Sequence, residues 1–265
     1  MNLFNQKQLI INRNKAAANF KNFNFLKLEL SNILLEHLDY AKGEFPLTLD
    51  LGSHTGEVAN ILTKHPKVKE VVSLDFAKNM LIFDTTSNMK VLAHLTNLPF
   101  LDNTFNLVCS VFSLHSYNNF SEILKEVIRV LKKDGLFLLS IPCFGNLSTL
   151  NNVLLESELA TTNQFSNRIH PFLDIKTIGN FASNAGFVSI ITNKEEITIM
   201  YKSLHNLLKD FRGMGENNIL LNKSTNLLSM KFWHKFTEIM EKHKNPENNH
   251  YPVKIEVCNL IAWKG

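Results

Sequence analysis

Residues 47–60 read LTLDLGSHTGEVAN: an apolar run ending in Asp50 and Leu51, a turn carrying Gly52 and Gly56, then a helical pattern. The stretch is a strand, a tight turn and a helix. Glycine serves at such a turn because the chain must take positive φ or pass close to a ligand. Backbone N–H groups there, with the helix N-terminus, suit a carboxylate or phosphate. Nineteen residues past Gly56, the run Val71-Val-Ser-Leu-Asp75 ends a second strand in a carboxylate. An acid at that position accepts hydrogen bonds from both hydroxyls of a ribose.

The pattern continues outward. Apolar spacing predicts strands over 47–51, 70–75, 89–93, 106–111 and 136–141, with helices over 56–64 and 119–132. In the latter, Phe120, Ile123, Leu124, Val127, Ile128 and Leu131 fall on one helical face. The run Lys132-Lys133-Asp134-Gly135 reads as its stop. Strands alternating with helices give a mostly parallel sheet covered on both faces, an α/β Rossmann-like doubly wound fold. Residues 1–40 read as an N-terminal basic arm, solvated, and an amphipathic helix (Leu30, Ile33, Leu34, Leu38) packing on the core. Residues 41–265 read as a single domain with helical cap insertions at about 145–171 and 197–245. A helix over 174–185 closed by Gly186, a strand over 187–192, two helices within 201–242 and a β-rich run over 253–263 complete the chain. The cap is expected above the carboxyl ends of the strands, where open α/β sheets bind ligands.

Composition narrows the partners. With 45% hydrophobic and 20% charged residues, the chain has the balance of a soluble globular protein. A net charge of +4 without a dense basic stripe argues against nucleic acid and permits an acidic partner. Cys109, Cys143 and Cys258 are far apart and form no CxxC pair, so neither a metal site nor a disulfide framework is expected. No apolar run approaches 18 residues and the first twenty hold no signal-peptide core, so no membrane insertion is expected. A cytoplasmic monomer is the expectation. Arginine is scarce, only Arg13, Arg129, Arg168 and Arg212, and each is either a planar fork with a purpose or a survivor of a lysine-rich composition.

The stretches DLGSHTG (50–56), VSLDFAKNML (72–81), AHLTNLPFLDNTFNLV (93–108) and VLKKDGLF (130–137) resemble the ordered motifs of class I S-adenosylmethionine-dependent methyltransferases. Four further stretches are similar to a narrower group: SLH (113–115), IHPF (169–172), DFRGMGENN (210–218) and AWK (262–264). That group holds the malonyl-carrier-protein methyltransferases of biotin synthesis and the related mitochondrial complex I assembly factors. GMGENN most resembles the latter branch. The resemblance implies a seven-stranded sheet and S-adenosylmethionine as cofactor. It implies that Asp50, Gly52, Ser53, His54 and Gly56 surround the methionine moiety, that Asp75 binds the ribose, and that Phe76 lies against the adenine. His94 and Leu95 would flank the adenine edge, with Ser110 and Phe112 near the sulfonium. Two positions depart from the pattern. His54 stands where the family has glycine, so its side chain either crowds the cofactor or adds a hydrogen bond. His94 stands where relatives carry an aspartate, and a neutral imidazole nitrogen can still accept.

Methyl transfer is an in-line displacement that needs positioning more than functional groups. A carboxylate acceptor is already nucleophilic, whereas an amine or hydroxyl needs a base, which His115 could supply. Arg168 could bind an acceptor carboxylate bidentately, or be an exposed loop cation. His170 is a weaker candidate. Arg212 and Glu216 flank Gly213-Met-Gly215, which reads as a lid or, more simply, a helix C-cap with solvated neighbours. No Asn/Asp-Pro-Pro-aromatic follows the fourth strand and no Pro-Cys accompanies Cys109, which argues against amino-group and cytosine-C5 methylation. The expected function is O-methylation of a carboxylate on a small acceptor or an acyl-carrier protein. The resemblance implies two alternatives: arginine hydroxylation of a respiratory complex I subunit on the same fold, or a non-catalytic cofactor-binding assembly factor.

Overall fold

The computed structural model describes residues 2–164, 166–224 and 228–265. Seven strands form: β1 (Phe45–Leu51), β2 (Val68–Asp75), β3 (Met89–Leu92), β4 (Phe105–Val111), β5 (Leu131–Pro142), β6 (Phe187–Tyr201) and β7 (Tyr251–Lys264). They lie in one sheet of order β3-β2-β1-β4-β5-β7-β6. The first five are parallel, and β7 runs antiparallel to both β5 and β6. Among the helices are α1 (Gln6–Ala16), α2 (Phe25–Leu35), α3 (His37–Tyr40), α4 (Glu57–Leu62) and α5 (Lys78–Phe83). Then come α6 (Phe120–Val130), α7 (Ser148–Thr162), α8 (Ile175–Ala185), α9 (Leu204–Met214) and α10 (Met230–Glu241).

The central strands read as near-continuous apolar runs because both faces are covered. Leu107, Val108, Cys109 and Val111 of β4 are all buried, as are Leu136 to Leu139 of β5. The strand order reverses between β1 and β4. That switch point opens a crevice at the carboxyl ends of β1, β2 and β4, where Asp50, Asp75 and Ser110 lie. The predicted helix over 174–185 forms with an Asp174 carboxylate accepting from Thr177 N–H at 2.9 Å, and Gly186 closes it at φ +103°.

Three expectations need correction. The helix read as 119–132 ends at Val130, and Leu131 enters β5. The register steps from Phe105–Leu131 to Leu107–Leu136, so Lys132-Lys133-Asp134-Gly135 bulges out of the ladder instead of ending a helix. The strand read as ending at Thr192 runs on to Tyr201, because β7 pairs with it as far as Tyr201–Tyr251. Beyond the Pro142–Val257 pair β5 stops, and β6 and β7 continue as a two-stranded ribbon toward α9. The arm read as solvated is instead α1, a 3₁₀ turn (Ala17–Asn22) and α2, with Arg13 and Lys27 buried. Their partners lie far along the chain, as the site makes plain.

Among the described residues no helix is long and apolar enough to cross a membrane. Cys109, Cys143 and Cys258 are free and buried.

Candidate functional site

The bend after β1 is tight and closed. Gly52 and Gly56 take φ of +77° and +87°, and His54 also lies in the left-handed region at +53°. Gly52 and Ser53 N–H donate to Leu74 O at 2.8 and 3.0 Å, and Gly56 N–H to Ser53 O at 3.1 Å. His54 N–H donates to Asp75 Oδ2 at 2.9 Å, and Thr55 N–H to Glu57 Oε2 at 3.2 Å. The amides expected to face an anion are therefore all taken within the protein. This corrects the sequence reading of the bend as an amide cradle.

Cations stand there instead. Lys27 of α2 donates from Nζ to Gly52 O at 2.9 Å and meets His54 Nδ1. The Phe20 ring stacks on the His54 ring, centroids 5.0 Å apart and planes within 4°. Arg13 of α1 donates from Nη1 to Met214 O at 2.7 Å and pairs through Nη2 with Glu216 Oε1. Between Arg13, Phe20, Lys27, His54, Phe112 and Met214 a cavity of about 10 Å³ remains, about one water's worth of space.

Several buried polar atoms around the bend have no partner among the described residues: Asp50 Oδ1, Ser53 Oγ, His54 Nε2, Ser113 Oγ, Arg13 Nε and His115 Nδ1. Buried polar groups are ordinarily paired, so a group of orphans at a strand-end crevice marks a polar ligand site. Asp75 uses one lone pair of each oxygen, toward His54 N–H and Ala77 N–H, the latter at 2.7 Å. Each oxygen keeps a second lone pair for a diol. Asp50 Oδ2 accepts from Ala59 N–H at 3.0 Å. Ser110 Oγ donates to Leu51 O at 2.7 Å and so ties β4 to β1. Phe76 is buried edge-on to Tyr117, centroids 5.3 Å apart, and Leu95 is fully buried. His94 is exposed, and its side chain has no hydrogen-bond partner among the described residues.

Burial pushes the Asp50 carboxyl up to about 7, with Lys27 working against it. Burial also pushes Asp75 up and Lys27 and His54 down. A carboxyl held above its unfolded value of 3.8 contributes stability that is complete below that value and lost as pH rises through the folded one. His54 and His170, both lowered by burial, act in the opposite sense. The difference between wild type and Asp50→Asn isolates the aspartate. The two are expected to melt alike near pH 4 and to diverge in favour of the asparagine protein as pH rises to about 7. Calorimetric melts at matched pH read this directly, and parallel curves across that window count against a raised Asp50.

A second cavity, about 280 Å³, adjoins the bend through Phe112. Its apolar wall includes Leu150 of α7, Phe211 of α9 and Trp233 of α10, and His115, Arg168, His170, Arg212 and Glu216 line it as well. The structure thus brings the four substrate-side candidates together. Their freedom differs. Arg168 is paired with Glu158 and lies 5.8 Å over the Phe232 ring. His170 packs against Phe4, centroids 5.1 Å apart, and burial pushes it down to about 4. His115 Nε2 lies 3.1 Å from Glu216 Oε2. The Arg212 side chain is exposed and has no partner among the described residues. Gly215 caps α9 at φ +78° as expected, but Glu216 is partly buried between Arg13 and His115 rather than solvated. Arg13, Lys27 and Glu216 were not among the site residues read from sequence. Arginine scarcity is the one signal that pointed toward Arg13.

A doubly wound sheet with an acid at the end of β2, beside a glycine bend after β1, is the arrangement of nucleoside-cofactor α/β enzymes. Comparison narrows the class. Residues 49–139 match the model of a methyltransferase domain. The mouse protein named arginine-hydroxylase NDUFAF5, mitochondrial, is 31% identical over 249 residues, covering 91% of this chain and 71% of that one. A malonyl-[acyl-carrier protein] O-methyltransferase of Coxiella burnetii is 26% identical over 242 residues, 91% of this chain and 82% of that one. A phosphoethanolamine N-methyltransferase of Haemonchus contortus, solved with S-adenosylhomocysteine, shares the fold. It has a TM-score of 0.53 at 15% identity, over 89% of this chain and 52% of that one. The chain belongs to the class I S-adenosylmethionine-dependent methyltransferase family, in the group that contains these hydroxylases and O-methyltransferases.

Proposed function

We propose that the chain is an S-adenosylmethionine-dependent O-methyltransferase whose acceptor is a carboxylate, on a small molecule or a carrier-bound acyl group. The observation that carries the acceptor class is Arg212, an exposed, unpartnered guanidinium on the wall of a largely apolar cavity. The donor set at the bend fits the cofactor. Asp75 offers two lone pairs to a ribose diol, and the orphaned Asp50 Oδ1 and Ser53 Oγ suit an ammonium. Lys27 and Arg13 suit the cofactor's carboxylate. With about 10 Å³ between them, the α1–α2 segment has to give way as the cofactor seats.

Bound S-adenosylmethionine supplies an electrophilic methyl group. The chain's own residues position the acceptor against it. Arg212 holds the carboxylate, the walls from α7, α9 and α10 exclude water, and Phe112 borders both compartments. Most of the rate then comes from alignment, and a carboxylate needs no base.

A second reading, arginine hydroxylation, is favoured by one contact. The loop at Met214–Glu216 already holds a buried guanidinium, that of Arg13, by a carbonyl and a carboxylate. Free, buried cysteines suit a thiol-reducing compartment, in our reading the cytoplasm, with the chain acting as a monomer.

Calorimetric titration with S-adenosylhomocysteine tests the cofactor, and silence at millimolar ligand rejects it. Mass spectrometry of a malonyl-loaded carrier protein and of an arginine peptide separates the two chemistries, one added methyl against one added oxygen. On the methyl acceptor, Arg212→Ala is expected to raise KM about tenfold, the loss of roughly 1.4 kcal/mol of binding, with kcat changed less than about twofold. An unchanged KM removes Arg212 from acceptor binding.

A further inference from the structure

His115 follows β4 on a single 3₁₀ turn (Leu114–Ser116) and is buried, its ring tilted against Phe112 with centroids 5.0 Å apart. One nitrogen is accounted for and the other is not. Nε2 lies 3.1 Å from Glu216 Oε2, while Nδ1 has no partner among the described residues. A carboxylate only accepts, so Nε2 carries the proton of the neutral ring. Glu216 is itself fixed on its other side. Oε1 receives Arg13, whose Nη1 is tied to Met214 O. Burial alone would push the Glu216 carboxyl up, but Arg13 and His115 hold it well below the usual carboxylate range. Among the described residues, His170 and His54 are the other titratable groups coupled to this pair, both lowered by burial, and Arg168 and Arg212 line the same cavity.

We infer that Glu216 is a positioning residue for His115: it takes Nε2–H, and thereby makes Nδ1 the atom that His115 presents to the acceptor. The inference rests on the reading of the 280 Å³ cavity, which His115 lines, as the acceptor site. To a carboxylate, Nδ1 presents a proton drawn from solvent, and the Glu216 charge balances the imidazolium so formed. His115 and Arg212 then grip one carboxylate from two sides. No bond of the acceptor breaks in this step. One proton moves from water to Nδ1 and stays there as a hydrogen bond. Arg13 closes the arrangement, because it stops the Glu216 carboxylate from turning toward the acceptor's own cationic partner.

The variant that separates this from a structural role is Glu216→Gln. An amide offers one acceptor and one donor where the carboxylate offers two acceptors. With its oxygen on Arg13, its NH₂ faces Nε2 and turns His115 to the Nδ1–H tautomer. Glu216→Asp keeps both acceptors and serves as the conservative rescue. The first measurement is nitrogen NMR on [15N]histidine-labelled full-length protein, with His115 assigned by its loss in His115→Asn. The wild type is expected to show the Nε2–H tautomer near neutral pH, Glu216→Gln the Nδ1–H tautomer, and Glu216→Asp the wild-type pattern. The second is steady-state transfer to malonyl-loaded carrier protein. There Glu216→Gln still offers Nδ1–H, but from a neutral ring with no carboxylate to balance an imidazolium, so KM is expected to rise about tenfold with kcat within about threefold, the signature of lost uniform binding. A merely misfolded fraction would lower kcat and leave KM alone. A wild-type Nδ1–H tautomer overturns the proposal, even if no soluble Glu216→Gln protein is obtained. So do His115 shifts that Glu216→Gln leaves unmoved. Wild-type protein that shows the Nε2–H tautomer but never modifies the carrier protein sinks the functional reading and leaves the Glu216–His115 pairing standing.

Discussion

Replacing Gly52 with alanine is expected to lower stability by about 3 kcal/mol or more. Two independent causes add. Alanine in the left-handed region at φ +77° costs about 1–2 kcal/mol. Its Cβ would also sit 1.9 Å from Ser113 Oγ and 2.5 Å from Ser113 Cβ, so the β4 end has to shift, at about 1–3 kcal/mol for overpacking. The two causes separate in a double variant. Ser113→Gly removes both contacting atoms, so Gly52→Ala in that background should cost only the backbone part. Urea melts of the four proteins give the answer. If the loss is the same in both backgrounds, the loops are not in contact and the closed geometry of the bend is wrong.

Lys27→Met should lose about 3–5 kcal/mol at neutral pH, the usual cost of stranding buried charge. The Lys27 ammonium faces Asp50, Glu57 and Asp75, all buried, and methionine keeps its bulk while removing its charge. The pH sense is fixed by Asp50. Below about 7 that carboxyl increasingly holds its own proton, so the lysine matters less and the gap between wild type and variant should narrow toward pH 5. A Lys27→Met, Asp50→Asn protein should recover part of the loss. A gap that is independent of pH would mean Lys27 is held by packing alone.

How much of this was legible in the chain follows from where each signal resides. Strands β1, β2, β4 and β5 are buried on both faces, so their apolar runs announce themselves locally. The bend glycines and the acid ending β2 are likewise local, set by backbone conformation and strand length. The misread boundary at Lys132–Gly135 is a local ambiguity: two lysines, an aspartate and a glycine suit a helix stop and a β-bulge equally well. The extension of β6 to Tyr201 was invisible because its reason is the partner strand, some fifty residues on. Arg13 and Lys27 failed for the same cause. A basic residue near an N-terminus reads as solvated unless its carboxylate or carbonyl is known, and those belong to Glu216, Met214 and Gly52. His115, His170 and Arg212 lie in stretches that carry the resemblance and Arg168 was read from its scarce guanidinium fork, while the cavity that unites them is a product of α7, α9 and α10, which no periodicity could assemble. His54, noted as a departure from glycine, proves to be held by Lys27 at Nδ1 and by the Phe20 ring on its face.

The tie between Arg13 and the α9 loop spans 201 and 203 residues of chain. During synthesis the guanidinium therefore leaves the ribosome long before either of its anchors exists. It waits in water, and α1 is short enough, at 11 residues, to be only marginally helical on its own. Closing so long a loop is entropically slow and is rewarded only when the ribbon of β6 and β7 has already aimed α9 at the crevice. The roof over the bend after β1 is therefore the most non-local closure at this site, joined by contacts that need both ends of the chain.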